Sequence, residues 1–299
     1  MPFSKFNGWG VLGVSVIGAS HVRKGTDNQD AIALYQGGDF SNGVKPAMVA
    51  VSDGHGSAKY IRSKMGSKLA TKCAIELAKK MHQSDSYLSS KASKGNIEDA
   101  VRHVKTMFMA EWHKAIDKNY ATNPFTDGEQ SFLEENCSEK DFDSVMSNHR
   151  VAYGCTFLCA FAYADLILVL QHGDGDVLGL YADGEVKEII EPDPRNVGNE
   201  TMSLCKMGSP LEIQHKIVVG DDLPVMLMLS TDGVSNSFAD KIGFYKILLG
   251  LKDLLVKSDF SIGSVDSTLQ SELERITEDG SGDDVTVGVL FSRNKIKGK

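Results

Sequence analysis

Three apolar runs in this chain, AMVAVS, LILVLQHG and VMLMLST, each stop directly at an Asp-Gly pair: Asp53-Gly54, Asp174-Gly175 and Asp232-Gly233. A fourth acidic pair, Asp283-Asp284, immediately precedes the run VTVGVLF, and Asp30 opens another apolar run within NQDA. Strand ends are rigid, so a fold that gathers them at one edge can hold several carboxylates on one point within the tolerance of a metal centre. Asp-Gly is also ordinary turn chemistry. Six such pairs occur, at 53, 127, 174, 183, 232 and 279, and three of them read as plain turns or loops. The shared context of the other three, with His55 and Gly56 following the first, separates a candidate site from punctuation. Carboxylates without Cys and with few His favour a hard cation, Mg²⁺ or Mn²⁺, over zinc.

The rest of the chain sorts into blocks. Residues 10–53 are strand-like, with a turn-rich GGDFSNGVK before the run that ends at Asp53. Residues 57–120 turn helical: Ile61, Met65, Leu69, Cys73 and Leu77 fall on one face, and Val101, Val104, Phe108 and Trp112 on another, with a polar turn at 84–96 between them. Residues 121–150 are polar and read as a surface excursion or short helix. Strands resume with VAYGCTFLCAFAYA, LILVLQH, DVLGLYA and EVKEII, and Asp183-Gly184 is a hairpin turn between the last two. An irregular flap is expected near 192–210, then PVMLMLS, helices around 244–256 and 264–277, and the closing strand VTVGVLF. Runs of strands separated by blocks of helices predict an α+β fold with antiparallel sheets. No linker divides the chain, so residues 1–299 read as a single domain.

Composition narrows the function. Hydrophobic residues are 41% of the 299 and charged residues 24%, enough for a real core and too apolar for a mainly disordered chain. Lys plus Arg is 32 against Asp plus Glu 40, a formal net charge of −8 that argues against nucleic-acid backbones as partners. The first residues show no basic stretch followed by an apolar run, so no secretory signal is read there. The most apolar segment, 160–170, is interrupted by Asp165 and is too short to span a bilayer. The five cysteines are scattered and odd in number, which reads as reduced thiols. A cytoplasmic protein without membrane or nucleic-acid partners is expected.

VSDGHGS (51–57), GCT (154–156), HGDGD (172–176), LSTDGV (229–234) and GDDVTV (282–287) stand in an order that resembles the metal-dependent PPM, or type 2C, serine/threonine protein phosphatases, in a bacterial-type branch. The resemblance spans about residues 13–291. It implies a central β-sandwich of two antiparallel sheets flanked by helix pairs on both outer faces. It further implies two Mg²⁺ or Mn²⁺ ions per site, with Asp53 bridging them, the Gly54 carbonyl adding a ligand, and Asp232 and Asp283 completing the first metal. Asp174 matches the ligand of a third, weaker ion, and His55 the general acid. The implied reaction is hydrolysis of phosphoserine or phosphothreonine by a metal-bridging water without a phosphoenzyme, on a phosphoprotein whose kinase is a cognate partner. A monomer is expected.

The N-terminal motif departs from the family's pattern. The resemblance places Gln29 and Asp30 among the metal-binding residues, but Gln29 stands where Glu is usual in the family's Asn-Glu-Asp, and Gly25 falls about where the phosphate-binding Arg should be. Arg23, His21 or Lys24 could supply the missing donor from nearby. After Asp174, Gly175-Asp176 replaces the usual Ser-Arg. These departures keep two other readings open: a non-catalytic phosphatase-like binding module, and a metal-dependent hydrolase of another phosphate ester.

Overall fold

Alternating side chains along the apolar strands build a core in three layers. The computed structural model describes residues 8–37, 46–83, 94–163, 165–196 and 201–298. In chain order the first half carries β1 (Gly10–Val16), α1 (Ala19–Lys24), β2 (Ala31–Gln36), β3 (Ala47–Ser52), α2 (Ser63–Gln83), α3 (Lys94–Thr122), α4 (Asp127–Asn136) and α5 (Glu139–Ser147). The second half carries β4 (Phe157–Tyr163), β5 (Leu166–His172), β6 (Asp176–Leu180), β7 (Val186–Glu188), β8 (Gln214–Val219), β9 (Met226–Ser230), α6 (Asp232–Ser235), α7 (Lys241–Lys257), α8 (Ile262–Asp279), β10 (Val285–Phe291) and α9 (Arg293–Ile296).

One sheet has the order β1-β10-β9-β6-β7 and the other β2-β3-β4-β5-β8, with every neighbouring pair antiparallel. Val49, Val51, Leu158, Ala160, Ile167 and Val169 pack between the sheets against Leu227, Leu229 and Leu290. Their strand neighbours Met48, Ala50, Phe157, Cys159 and Leu168 point the other way, into the core under α2 and α3. Met226, Met228, Val287 and Val289 do the same under α7 and α8. Both faces of these strands are therefore buried, which is why they read as unbroken apolar runs rather than alternating ones. The α+β sandwich with helix pairs outside is the architecture expected.

Several details differ from expectation. On α2 the buried face is Ala70, Cys73, Ala74, Leu77, Ala78 and Met81, while Met65 is 38% exposed. A strict spacing of four gains about 40° per step on a 3.6-residue turn, so Met65 drifts off the face that Cys73 and Leu77 share. The segment 121–150 folds into two capped helices. Thr126 and Glu129 form a capping box on α4, Ser138 accepts from the Asp141 N–H on α5, and Leu133 and Val145 are fully buried. Those Thr-x-x-Glu and Ser-x-x-Asp spacings are start signals that the polar composition of the segment hides. Helices α7 and α8 run a few residues beyond the expected bounds. The turns expected at 37–45 and 84–96 fall largely outside the described residues, as do residues 197–200 of the flap and 1–7 of the chain start. All five cysteines are free. Among the described residues, no helix is long and apolar enough to cross a membrane.

Arg62, at the start of α2, ties the two capped helices to the body. Its Nε and Nη2 donate to the Glu129 carboxylate at 2.7 and 2.8 Å, Nη1 to the Asn123 carbonyl and Tyr153 hydroxyl at 2.6 and 2.9 Å, and Nη2 to the Pro124 carbonyl at 3.0 Å. All five guanidinium N–H groups are thereby used. The paired guanidinium pulls the Glu129 pKa down to about 2. An acid depressed in the folded state stabilises above its unfolded pKa and loses that contribution as pH falls through the folded value. Glu129→Gln should therefore cost about 2 kcal/mol in urea unfolding near pH 7, and the gap to wild type should close as pH drops from about 4.5 toward 2. A gap that does not change with pH would show that the pair contributes no net charge stabilisation.

Candidate metal centre

Carboxylates from both sheets meet at one edge of the sandwich. Asp53 follows β3 and Asp174 follows β5 of one sheet, while Asp232 follows β9 and Asp283 precedes β10 of the other. Oxygens of Asp53, Asp174 and Asp232 all lie within 4.8 Å of one another, and ligand atoms of His21, Asp283 and Asp284 form a second such group. Two close backbone approaches allow this. A Cβ on Gly233 would sit 2.1 Å from the Asp284 carbonyl oxygen, so only glycine lets the start of α6 press against the chain entering β10. Gly173 has φ +113°, and a Cβ there would meet the Thr156 side chain at 2.6 Å. Thr156 in turn accepts the Asp53 N–H at 2.9 Å, holding the end of β3.

The cluster carries more negative charge than its surroundings offset. Burial raises the Asp53 pKa well above the usual carboxylate range, and the charges of Asp30, Asp232, Asp283 and Asp174 raise it further. Burial, then Asp174 and Asp283, pushes Asp232 up to about 7. Asp30, 5% exposed, is likewise pushed to about 7 by burial even though its Oδ2 accepts from the Thr231 and Thr286 hydroxyls at 2.7 Å each. The other oxygen of Asp30, Oδ1, and the Oδ1 of Asp174 are buried and meet no donor among the described residues. Crowded, under-donated carboxylates with an all-oxygen ligand set fit a hard divalent cation.

The other expected site residues distribute around this centre. Gly54 pairs with Cys155 beside Asp53. His55 is half-buried against Tyr60, its Nε2 meets no partner among the described residues, and burial, then Lys206, His172 and Lys59, lowers its pKa to about 4. Gln29 donates its side-chain N–H to Ser63 at 3.2 Å, with its amide oxygen turned toward the Gly56 turn and its backbone N–H given to Asp284 at 2.7 Å. His21 Nδ1 lies 2.9 Å from Asp284, leaving Nε2 3.8 Å from Asp283. The exposed Arg23 lies over Gly282, next to Asp283.

Sequence reasoning missed the residues that hold these groups. Asp284, 3% exposed, accepts from the Gly18 and Gln29 N–H groups at 2.7 Å and faces His21, so it fastens the 18–29 segment to the site. Thr201 of the flap donates to Asp174. The threonines are legible only as a second layer, one before Asp232 and one within β10. In sequence Asp284 reads only as the second half of an acidic pair.

The profile of the protein phosphatase 2C family matches residues 17–269. No curated protein sequence matches the chain significantly. Among solved structures, the catalytic domain of the serine/threonine protein phosphatase PstP, in complex with 2 manganese ions, is similar with TM-score 0.51 and 16% identity, over 95% of this chain and 97% of that one. Serine/threonine phosphatase Stp1 from Staphylococcus aureus is similar with TM-score 0.51 and 14% identity, over 94% of each chain. A sex-determining protein of C. elegans is similar with TM-score 0.57 and 15% identity, over 98% of this chain and 68% of that one. At such identities the likeness is one of fold.

Crowding has a measurable cost without metal. Because the folded-state pKa of Asp53 lies above its unfolded value, its charge destabilises the apo fold, and increasingly so as pH rises above about 4. Metal-free Asp53→Asn protein should melt a few degrees above metal-free wild type, roughly one to two kcal/mol, and the advantage should be larger near neutral pH than near pH 5. Mn²⁺ should raise the midpoint of wild type and not of the variant. A variant that melts below wild type in EDTA at neutral pH would contradict the charge-crowding account.

Proposed function

The chain belongs to the protein phosphatase 2C family, and from that premise we propose that it removes phosphate from phosphoserine and phosphothreonine in proteins by direct attack of water, with no phosphoenzyme. The observation that carries the reading is the convergence of Asp53, Asp174 and Asp232, whose oxygens lie within 4.8 Å of one another. Asp53, the Gly54 carbonyl, Asp232 and Asp283 would hold two ions of Mg²⁺ or Mn²⁺, and Asp174 a third, weaker one. When bound, such a pair acidifies water and offsets phosphoryl charge.

The chain's own residues supply the rest. Without compensation, the acidic edge would repel a phosphomonoester dianion, so the substrate must also meet donors. We assign that role to the α1 side, where Arg23 is exposed beside Gly282 and His21, its Nδ1 on Asp284, turns Nε2 toward Asp283. Gln29 adds no charge where a Glu would, so the second ion is held more loosely than the first. Asp30, braced by Thr231 and Thr286, backs Asp53 from inside the fold. We assign proton delivery to the departing Ser or Thr oxygen to His55, whose Nε2 meets no partner among the described residues. Burial favours its neutral form, so the negative charge of a bound phosphate has to raise its pKa for it to act. The substrate is a phosphoprotein made by a serine/threonine kinase, and the chain works as a cytoplasmic monomer.

The test is phosphate release from phosphothreonine and phosphoserine peptides. Turnover should vanish in EDTA and return with Mn²⁺ or Mg²⁺; turnover that survives thorough metal removal would sink the mechanism, and none under any condition would favour a silent module. His55→Ala should lower kcat on phosphoserine peptide by about 10²–10⁴. The same change should cost far less on p-nitrophenyl phosphate, whose leaving group needs no proton. Equal losses on both substrates would remove His55 from proton delivery.

A further inference from the structure

The His55 side of the site carries two lysines on one aromatic ring. Lys59 Nζ lies 5.5 Å and Lys206 Nζ 5.9 Å from the centroid of the Tyr60 ring, which itself lies 4.9 Å from the His55 ring. Tyr60 is 6% exposed and burial pushes its hydroxyl up to about 12, so it is a neutral platform at working pH. The lysines differ in one respect. Lys59 is neutralised by Asp141 of α5 at 2.7 Å, whereas Lys206 is exposed and meets no carboxylate among the described residues. Nor does Lys206 ride on a loose loop. Leu204, 1% exposed, donates its N–H to the Cys155 carbonyl at 2.9 Å, and the Lys206 N–H is bonded to the Ser203 carbonyl at 3.0 Å. An uncompensated cation is thus anchored, through its backbone, to the chain just before β4 and beside the proposed proton donor, in a protein whose formal net charge is −8.

We propose that Lys206 is a specificity-determining residue: its ammonium takes an anionic group that the substrate peptide carries within a few residues of the phosphorylated Ser or Thr. The proposal rests on the phosphatase reading above and adds which substrates that activity favours. The legs of 4.9 and 5.9 Å through the Tyr60 ring set an upper limit on the separation of His55 and Lys206, so a group carried within about three extended residues of the phosphorylated one, at ~3.3 Å each, can reach the ammonium. A carboxylate side chain and a second phosphate offer the same chemistry at that position. An exposed pair of this kind changes affinity by about two- to fivefold at low salt. It is made alike in ground and transition states, so it acts on KM and not on kcat.

The experiment measures kcat and KM of wild type, Lys206→Ala, Lys206→Glu and Lys206→Arg on phosphothreonine peptides flanked by Asp, phosphoserine, Ala or Lys, at low and high salt. Wild type should favour acidic over Ala flanks by about two- to fivefold through KM. That ratio should fall to one in Lys206→Ala, invert toward Lys flanks in Lys206→Glu, persist in Lys206→Arg and vanish at high salt. The Asp and phosphoserine arms distinguish a carboxylate from a phosphate as the natural group. Equal KM for all flanks in wild type, or a preference untouched in Lys206→Ala, would overturn the proposal. Anisotropy binding of the same peptides keeps the two readings apart. Flank-dependent binding without turnover would count against the phosphatase reading alone, and turnover without flank preference would count against Lys206 alone.

Discussion

Repulsion among carboxylates that the fold forces together is the interaction on which the rest of this structure depends. Asp53, Asp174 and Asp232 approach within 4.8 Å, and burial and mutual charge raise the pKa of Asp53 and Asp232. A chain would not keep such a cluster for stability, since each charge costs free energy in the apo state. What holds it is a set of rigid strand ends and short polar braces: Thr156 on the Asp53 backbone, and Thr231 and Thr286 on Asp30. The two layers of helix outside the sheets keep those ends from relaxing, because the apolar side chains of the central strands are engaged on one face or the other. Stability is stored in the sandwich and spent at its edge.

The positive side of the site answers that negative charge without entering it. Lys206 stands on the His55 flank, where Lys59 is paired with Asp141 and Arg62 with Glu129, pinning α4 and α5. Arg23 lies across the other group, over Gly282. On the proposed reading, a phosphorylated peptide would meet Lys206 at one rim and Arg23 at the other.

Much of this was legible because strands buried on both faces leave unbroken apolar runs, and a run ending in Asp-Gly marks its own C-terminal edge. The antiparallel α+β class and the closing strand at Val285–Phe291 follow from the order of apolar runs, and the α3 face of Val101, Val104, Phe108 and Trp112 from helical period, while the sandwich was implied by the family resemblance. Other features were not legible, for identifiable reasons. The α4–α5 excursion is polar in composition, and its fold depends on two caps and a single buried Leu or Val per helix. Asp284 looks like a ligand beside Asp283, yet its three donors come from residues 18–29, a pairing that no local pattern encodes. Gln29 shows the converse: it stands at a motif position, but its side chain is turned to Ser63 and the Gly56 turn. Lys206 is invisible in sequence because its meaning comes only from the Tyr60 ring beneath it.

The central claim is that these carboxylates exist to hold a pair of divalent ions through Asp53. Anomalous diffraction from crystals grown with Mn²⁺ tests it most directly. The account predicts two peaks about 3.5–4 Å apart, both touching Asp53, with Asp232 and Asp283 completing one of them. A lone peak held by His21, Asp283 and Asp284, or no ordered manganese at Asp53 at saturating concentration, would contradict it.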